Sequence, residues 1–313
     1  MFLQRIKKYT GPLVSFVIML FIACLLVIPA DTETASQAVP AAESQTVPAE
    51  TKVTHRTVYS GIDYAPVYDY DYYVERHPSL LSKYGANDKK ILRHYVLKGY
   101  PKKEKASESA TSAAFAKVQK ARIAKYLKNT ATAQKTSQII VVCDHELSLW
   151  NKQEDGSWKR SLKYYCGYGK NGLALTRHAG DKTTPIGSFP ILLAFGKAAN
   201  PGTEMTWKDI TPYSYWSAEY DTYNTWVESR SSMAGEHLTD YYQYAYAMAI
   251  GFNIDPPVYG RGSAIFLHCK STDRWYTAGC VSVKTNVMKK LLRYCKDGTY
   301  IIIVPNDTAI RNY

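Results

Sequence analysis

Cysteine is scarce in this sequence. Six cysteines occur among 313 residues, and one of them, Cys24, lies in an apolar segment near the N-terminus. The remaining cysteines are too sparse for a disulfide scaffold, which needs a high density of cysteine. Their odd number leaves at least one thiol unpaired if this part of the chain is extracellular. They are Cys143, Cys166, Cys269, Cys280 and Cys295.

Motifs for nucleic-acid binding are also missing. The sequence contains no helix-turn-helix, zinc-finger or RNA-binding signature. Its net charge of +12 nevertheless indicates affinity for polyanions, which include nucleic acids, anionic lipids and acidic cell-wall polymers. Together with the location argued next, this favours cell-wall polymers as partners and no nucleic acid.

One segment, residues 11–30, carries no charged side chain. Twenty helical residues span roughly 30 Å, which is the thickness of a bilayer core. Arg5, Lys7 and Lys8 precede the segment, so the positive-inside rule places residues 1–10 in the cytoplasm. We therefore expect a single-pass anchor in the cytoplasmic membrane, with the rest of the chain outside. A cleaved signal peptide is the alternative.

Three further regions precede the last and largest one. Residues 31–54, rich in Ala, Thr, Glu, Pro, Ser and Gln, are predicted to be a disordered linker. Residues 55–103 begin with crowded tyrosines and end in helical spacing up to Gly99, which predicts a small helical module. Residues 104–136 are rich in Ala and Lys and predict a linking helix, whose basic residues we expect to be solvated.

The module resembles a short unit found in surface proteins of Gram-positive bacteria. The resemblance rests on the tyrosine-rich start, the step His77-Pro78-Ser79-Leu80 and the helix end His94-Tyr95 to Gly99. It implies a wall-associated accessory unit. A purely structural spacer is the alternative.

Residues 137–306 have the pattern of a mainly β domain. β-Branched residues predict strands over 139–143 and 300–304, and a further strand is predicted over 147–150. Residues 288–294 predict one helix. The many tyrosines between 213 and 246 are expected in an insertion over an active site, although core packing would also explain many of them.

The segment from His268 to Cys280 contains the candidate catalytic residues. Strand alternation places Phe266 and His268 on one face and Leu267 on the other. Cys269 then faces away from His268, so Cys280 is the better candidate nucleophile. A free thiol is only a few per cent thiolate at neutral pH, and a neighbouring imidazole can take its proton. No zinc-like spacing of ligands accompanies these residues, so we expect neither a metal nor another cofactor.

Two motifs in combination resemble the L,D-transpeptidase catalytic domain family (YkuD-like). They are Thr184-Pro185-Ile186-Gly187-Ser188-Phe189 and Thr277-Ala278-Gly279-Cys280. The resemblance implies a β-rich fold and acyl transfer on peptidoglycan stem peptides of a bacterial wall. It makes Cys280 the nucleophile, His268 the base, and Thr277, Ala278 and Gly279 part of the acyl-binding loop, which could line an oxyanion hole.

The chain departs from the family pattern in three ways. Ala278 stands where a His is common, Ser282 stands where an Asn or Arg is common, and the loop between His268 and Cys280 is short. Further candidates for substrate binding are Tyr276, His237 and Arg177.

Three other functions compete with the transpeptidase hypothesis. An L,D-carboxypeptidase would hydrolyse the same acyl-enzyme, and a non-catalytic wall-binding protein would use the 55–103 module. A sortase-like ligase needs an Arg on a strand after the Cys, whereas Arg293 lies in the predicted helix.

Overall fold

The computed structural model describes residues 53–313. The predicted cytoplasmic tail, the predicted membrane anchor and all but the last two residues of the predicted linker lie outside the described residues. Within residues 53–313, every helix is too short or too polar to span a membrane.

Residues 53–111 fold around tyrosines. Asp69 and Asn87 begin two of the helices, since their side chains accept hydrogen bonds from the N–H groups of Tyr72 and Lys90. The core of this part is aromatic, and its tyrosine rings pack edge-to-face or stacked at centroid distances of 5.1 to 6.5 Å. The elements are β1 (Val58–Tyr59), β2 (Ile62–Asp63), α1 (Tyr70–Arg76), α2 (Ser79–Tyr84) and α3 (Asp88–His94), followed by a π-turn over Tyr95–Gly99 and a 3-10 turn over Tyr100–Lys102.

Helix α4 (Ser112–Leu127) joins this part to the sheet, and the short α5 (Thr132–Lys135) follows it. Val118 packs into the tyrosine core, whereas Ile123 and Leu127 pack against the sheet. One basic residue of α4, Arg122, is 2% exposed, so the expectation of a solvated basic face is wrong at this position. Its guanidinium is buried because it bonds the carboxylate of Asp307 at 2.8 and 3.0 Å.

The rest of the chain is dominated by one twisted sheet, which confirms the mainly β class predicted for it. Its strands run in the order β15-β14-β13-β8-β16-β3-β4-β5, with β9 paired to β8. Their bounds are β3 (Gln138–Cys143), β4 (Glu146–Lys152), β5 (Trp158–Tyr165), β8 (Gly187–Gly196), β9 (Trp207–Asp209), β13 (Ala247–Ile250), β14 (Phe266–Cys269), β15 (Val281–Val283) and β16 (Tyr300–Val304).

Both faces of the central strands are buried, which explains their unbroken apolar sequences. In β16, Ile301 and Ile303 face the larger core, where helix α6 (Thr285–Tyr294) packs. Ile302 and Val304 face the opposite core, where α4 packs. The strands predicted over 139–143 and 300–304 and the helix predicted over 288–294 are confirmed.

Two smaller sheets lie near the end of the main sheet where β14 and β15 pair. One is the parallel pair β6 (Leu173–Ala174) and β7 (Thr184–Pro185). The other is β11-β10-β12, which belongs to the predicted tyrosine-rich insertion and comprises β10 (Ser214–Ser217), β11 (Trp226–Glu228) and β12 (Gly235–His237). The insertion packs Trp216, Leu238 and Tyr244 onto a third apolar core that includes Cys280.

Candidate active site

Two neighbouring parallel strands bring His268 and Cys280 to one cleft. Strand β14 carries His268, and Cys280 immediately precedes β15, which pairs with β14 through Leu267 and Val281. The side chains alternate as expected, because Leu267 and Cys269 lie in the larger core whereas Cys280 lies in the third core. His268 and Cys280 both line the same cleft.

Two threonines hold the loop that precedes the Cys280 strand. Thr277 Oγ1 donates to the carbonyl of Cys280 at 2.6 Å and accepts the N–H of Gly279 at 3.1 Å. Thr184 Oγ1 donates to the carbonyl of Gly279 at 2.6 Å and accepts the N–H of Gly169 at 2.8 Å. The two sequence motifs therefore meet in space, because the threonine of the first fixes the backbone of the second.

Position 279 requires glycine. Its φ is +153°, and a Cβ there would approach the carbonyl oxygen of Thr183 to 3.0 Å and Nη2 of Arg177 to 3.3 Å. Its N–H is already bonded to Thr277. Within residues 53–313, the N–H groups of Ala278 and Cys280 have no hydrogen-bond acceptor, so they are the amides of this loop that can bind an oxyanion.

The ring of His268 is held so that one nitrogen is free to act as a base. The Nδ1–H group donates to the carbonyl of Cys269 at 2.8 Å, which assigns the proton to Nδ1 and leaves the lone pair on Nε2. The Tyr244 ring packs edge-on against the imidazole at a centroid distance of 5.6 Å. Burial lowers the pKa of His268 to about 4, so the ring is neutral at pH 7.

The thiol of Cys280 is neutral as well. The pKa of Cys280 is raised to about 12, first by burial and then by the carboxylate of Glu236, although the N–H of Phe266 and the charge of Arg177 lower it. The Sγ–H group donates to the carbonyl of Ala264 at 3.3 Å. The thiol and the imidazole that line this cleft are both neutral, so proton transfer must accompany nucleophilic attack.

The cleft has a volume of about 380 Å³ and is mainly basic. Lys170 and Arg274 lie over the ring of Tyr276 at 5.6 and 5.5 Å from its centroid. Glu236 is the single acidic side chain among the lining residues in the described part of the chain. The other residues that line it are Lys182, Tyr241, Gln243, Tyr244, His268, Ser271, Thr277, Ala278 and Cys280.

The further candidates for substrate binding lie in three different places. Tyr276 lines the cleft and is 47% exposed. His237 is not among the lining residues, since its ring stacks on Tyr215 at 4.5 Å and bonds Asp240. Arg177 is 6% exposed and lies behind the Cys280 loop, against Gly262 and Gly279.

Sequence reasoning missed Glu236, and it did not separate Tyr244 from the other tyrosines expected in the insertion over an active site. Both lie in the insertion, where no motif marks them. The pairing of β12 with β10 brings Glu236 to the cleft, and the 3-10 turn Tyr242–Ala245 carries Tyr244. Thr184 was inside a quoted motif, but its contact with Gly279 joins residues 95 positions apart. The signal available in the sequence was the position of Thr184 inside that motif.

The fold and the site define a β-rich domain with a cysteine and a histidine on adjacent strands. The family model for the YkuD L,D-transpeptidase catalytic domain matches residues 137–304. The chain therefore belongs to the YkuD L,D-transpeptidase catalytic domain family. No curated protein matches the sequence.

The solved structures to which the chain is similar include three proteins of low identity. The helical cell shape determining protein Pgp2 from Campylobacter jejuni is 13% identical, with a TM-score of 0.32, over 61% of this chain and 60% of that chain. The catalytic domain of the E. faecium L,D-transpeptidase is 19% identical, with a TM-score of 0.27, over 53% and 96%. The L,D-transpeptidase from Stackebrandtia nassauensis is 15% identical, with a TM-score of 0.28, over 81% and 98%. The chain thus spans about three fifths of the length of the Campylobacter protein.

Proposed function

We propose that this chain is a peptidoglycan L,D-transpeptidase in which Cys280 is the nucleophile and His268 is the base. The observation that carries the proposal is the shared cleft, in which His268 keeps Nε2 free because its Nδ1–H group bonds the Cys269 carbonyl. Family membership supports the same class of reaction.

The proposed reaction has two steps. In the first, Sγ of Cys280 attacks the carbonyl carbon of an L-residue that precedes a D-residue, and Nε2 of His268 takes the thiol proton. The carbon–nitrogen bond then breaks, and the imidazolium returns the proton to the departing D-residue. The N–H groups of Ala278 and Cys280 would stabilise the oxyanion. In the second step an amine of another stem attacks the thioester, and the thiolate leaves and regains a proton through His268.

Charge supports stem peptides as substrates. Peptidoglycan stems end in carboxylates, and the cleft presents Lys170, Lys182 and Arg274. The domain acts on the cell wall, so we infer an extracellular or periplasmic location, with residues 11–30 as the membrane anchor. Cell-wall polymers are the further partners that the net charge favours. The chemistry uses no cofactor.

Two alternatives share these features. An L,D-carboxypeptidase would resolve the acyl-enzyme with water, and a non-catalytic wall-binding protein would not form it at all. Incubation with a tetrapeptide stem separates the three. Dimers indicate transfer, tripeptide alone indicates hydrolysis, and unchanged stem indicates binding without chemistry.

Intact-mass detection of an adduct on Cys280 tests the proposal. The wild type should gain the mass of a tripeptide acyl group, and Cys280→Ser should lose cross-linking by at least about 10³-fold, since the serine hydroxyl is a far weaker nucleophile. Cys269→Ala is the matched control, because Cys269 is adjacent to His268 but faces the larger core. Cross-linking by Cys280→Ser at the wild-type rate would refute the proposal.

A further inference from the structure

One acidic side chain lies in an otherwise basic cleft. Glu236 lines the cleft beside His268 and Cys280, on strand β12 of the insertion. Its carboxylate accepts a hydrogen bond from the hydroxyl of Tyr244, whose ring packs against His268. Within residues 53–313, the Glu236 carboxylate forms no ion pair, because no lysine, arginine or histidine lies within 4.0 Å of it.

The position of Glu236 is unfavourable for the reactivity of Cys280. A negative charge near Cys280 disfavours the thiolate, and Glu236 raises the pKa of that thiol. The carboxylate is also partly removed from water, which raises its own pKa. A side chain that hinders the first chemical step and has no cation beside it is suited to a cation that arrives with a substrate.

We infer that Glu236 is the acceptor-binding residue, which pairs with the ammonium group of the amine that receives the acyl group. The inference rests on the proposed function and deepens it, because it assigns the acceptor side of the cleft. The hydroxyl of Tyr244 is its positioning partner, since it fixes one carboxylate oxygen. The carboxylates of the donor stem are left to Lys170, Lys182 and Arg274.

The step balances in protons. The acceptor ammonium gives one proton to the Glu236 carboxylate and becomes a free amine. Its nitrogen forms a bond to the thioester carbon as the carbon–sulfur bond breaks. The second amine proton passes to Nε2 of His268 and from there to the Cys280 thiolate. The Glu236 carboxylic acid then returns its proton to solvent.

The test compares Glu236→Gln with the wild-type full chain. Glutamine keeps an oxygen that accepts the Tyr244 hydroxyl but removes the charge. With a tetrapeptide stem as donor, the acyl-enzyme on Cys280 should form at least as fast as in the wild type, because the opposing charge is gone. Transfer to the ammonium of N-acetyl-lysine amide should fall at least tenfold relative to hydrolysis. Transfer to hydroxylamine, which is mainly uncharged at neutral pH, should change less than threefold.

Asp240→Asn is the matched control. This variant also removes one carboxylate charge close to β12, because Asp240 pairs with His237 of that strand. Asp240 is exposed, however, and does not line the cleft. It should leave both transfers as in the wild type. Equal losses with both amines, or an unchanged ratio of transfer to hydrolysis in Glu236→Gln, would overturn the assignment of Glu236. Absence of any acyl-enzyme in the wild type would instead overturn the proposed function, and this inference with it.

Discussion

Two buried arginines distinguish the junction between α4 and the sheet from the cleft. Arg122, at the junction, bonds Asp307 twice, Thr308 once and the hydroxyl of Tyr64. Arg177, behind the Cys280 loop, donates a hydrogen bond to Asp181 at 3.4 Å and lies over the ring of Phe252 at 5.4 Å from its centroid. Its Nε and Nη1 have no acceptor among the described residues. A buried charge is expensive unless it is paired, so the satisfied arginine is suited to stability and the unsatisfied one to function.

A similar contrast holds for some polar groups of the tyrosine core and the cleft, although the buried hydroxyls of Tyr68 and Tyr70 in that core have no partner among the described residues. Around the tyrosine core, His77 bonds Glu104 and Tyr73 bonds His94. In the cleft, Nε2 of His268 is free and Glu236 has no cation beside it, as far as residues 53–313 are concerned. Unpaired groups are the ones that can still bind a substrate or move a proton.

The largest expected effect is at the junction. Arg122→Met should lower the free energy of unfolding by about 3–5 kcal/mol, because it leaves the buried Asp307 carboxylate without a cation. Denaturant unfolding followed by tryptophan fluorescence measures it. Arg76→Met is the control, since its pair with Glu75 is exposed and should contribute less than about 1 kcal/mol. Recovery of stability in Arg122→Met with Asp307→Asn would confirm the cause, and a loss below 1 kcal/mol in the single variant would contradict it.

A smaller effect is expected from His268 as the pH falls. The pKa of His268 is lowered to about 4 in the folded chain and is 6.5 when unperturbed. The unfolded chain therefore takes up a proton first, and this residue's contribution to stability is lost as the pH falls from 6.5 to 4. The loss amounts to about 3 kcal/mol, at 1.36 kcal/mol for each pKa unit.

Unfolding curves of the wild type and His268→Asn, recorded between pH 7 and 4, measure this contribution. The difference in their unfolding free energies should change by about 3 kcal/mol over that range. His268→Gln should give the same difference curve. Parallel pH profiles of wild type and variants would show that the imidazole is not buried as described.

The two regions also differ in how far sequence could predict them. Runs of β-branched residues predicted β3 and β16, and strand alternation separated Cys280 from Cys269, because both are local patterns. The ion pair of Arg122 joins residues 185 positions apart, so helical spacing alone marked Arg122 as a solvated residue. The pairing of β12 with β10 places Glu236 in the cleft, and no sequence motif indicates this pairing.

The smallest expected effect on stability completes the comparison of the two arginines. Arg177→Met should change the free energy of unfolding by no more than about 1 kcal/mol, because it removes a buried charge whose donors are unsatisfied. The Asp181 carboxylate stays paired in this variant, since it still accepts the N–H groups of His178 and Thr183. The same variant should slow the alkylation of Cys280 by iodoacetamide by less than about tenfold, the effect of one pKa unit, since the Arg177 charge is the smallest of the influences that set the pKa of that thiol and it lowers that pKa. Arg177→Lys keeps the charge and should keep the alkylation rate. A loss of 3 kcal/mol or more in the free energy of unfolding, with an unchanged alkylation rate, would give Arg177 the same structural role as Arg122. A residue that only supports packing affects unfolding but does not change the reactivity of the folded thiol.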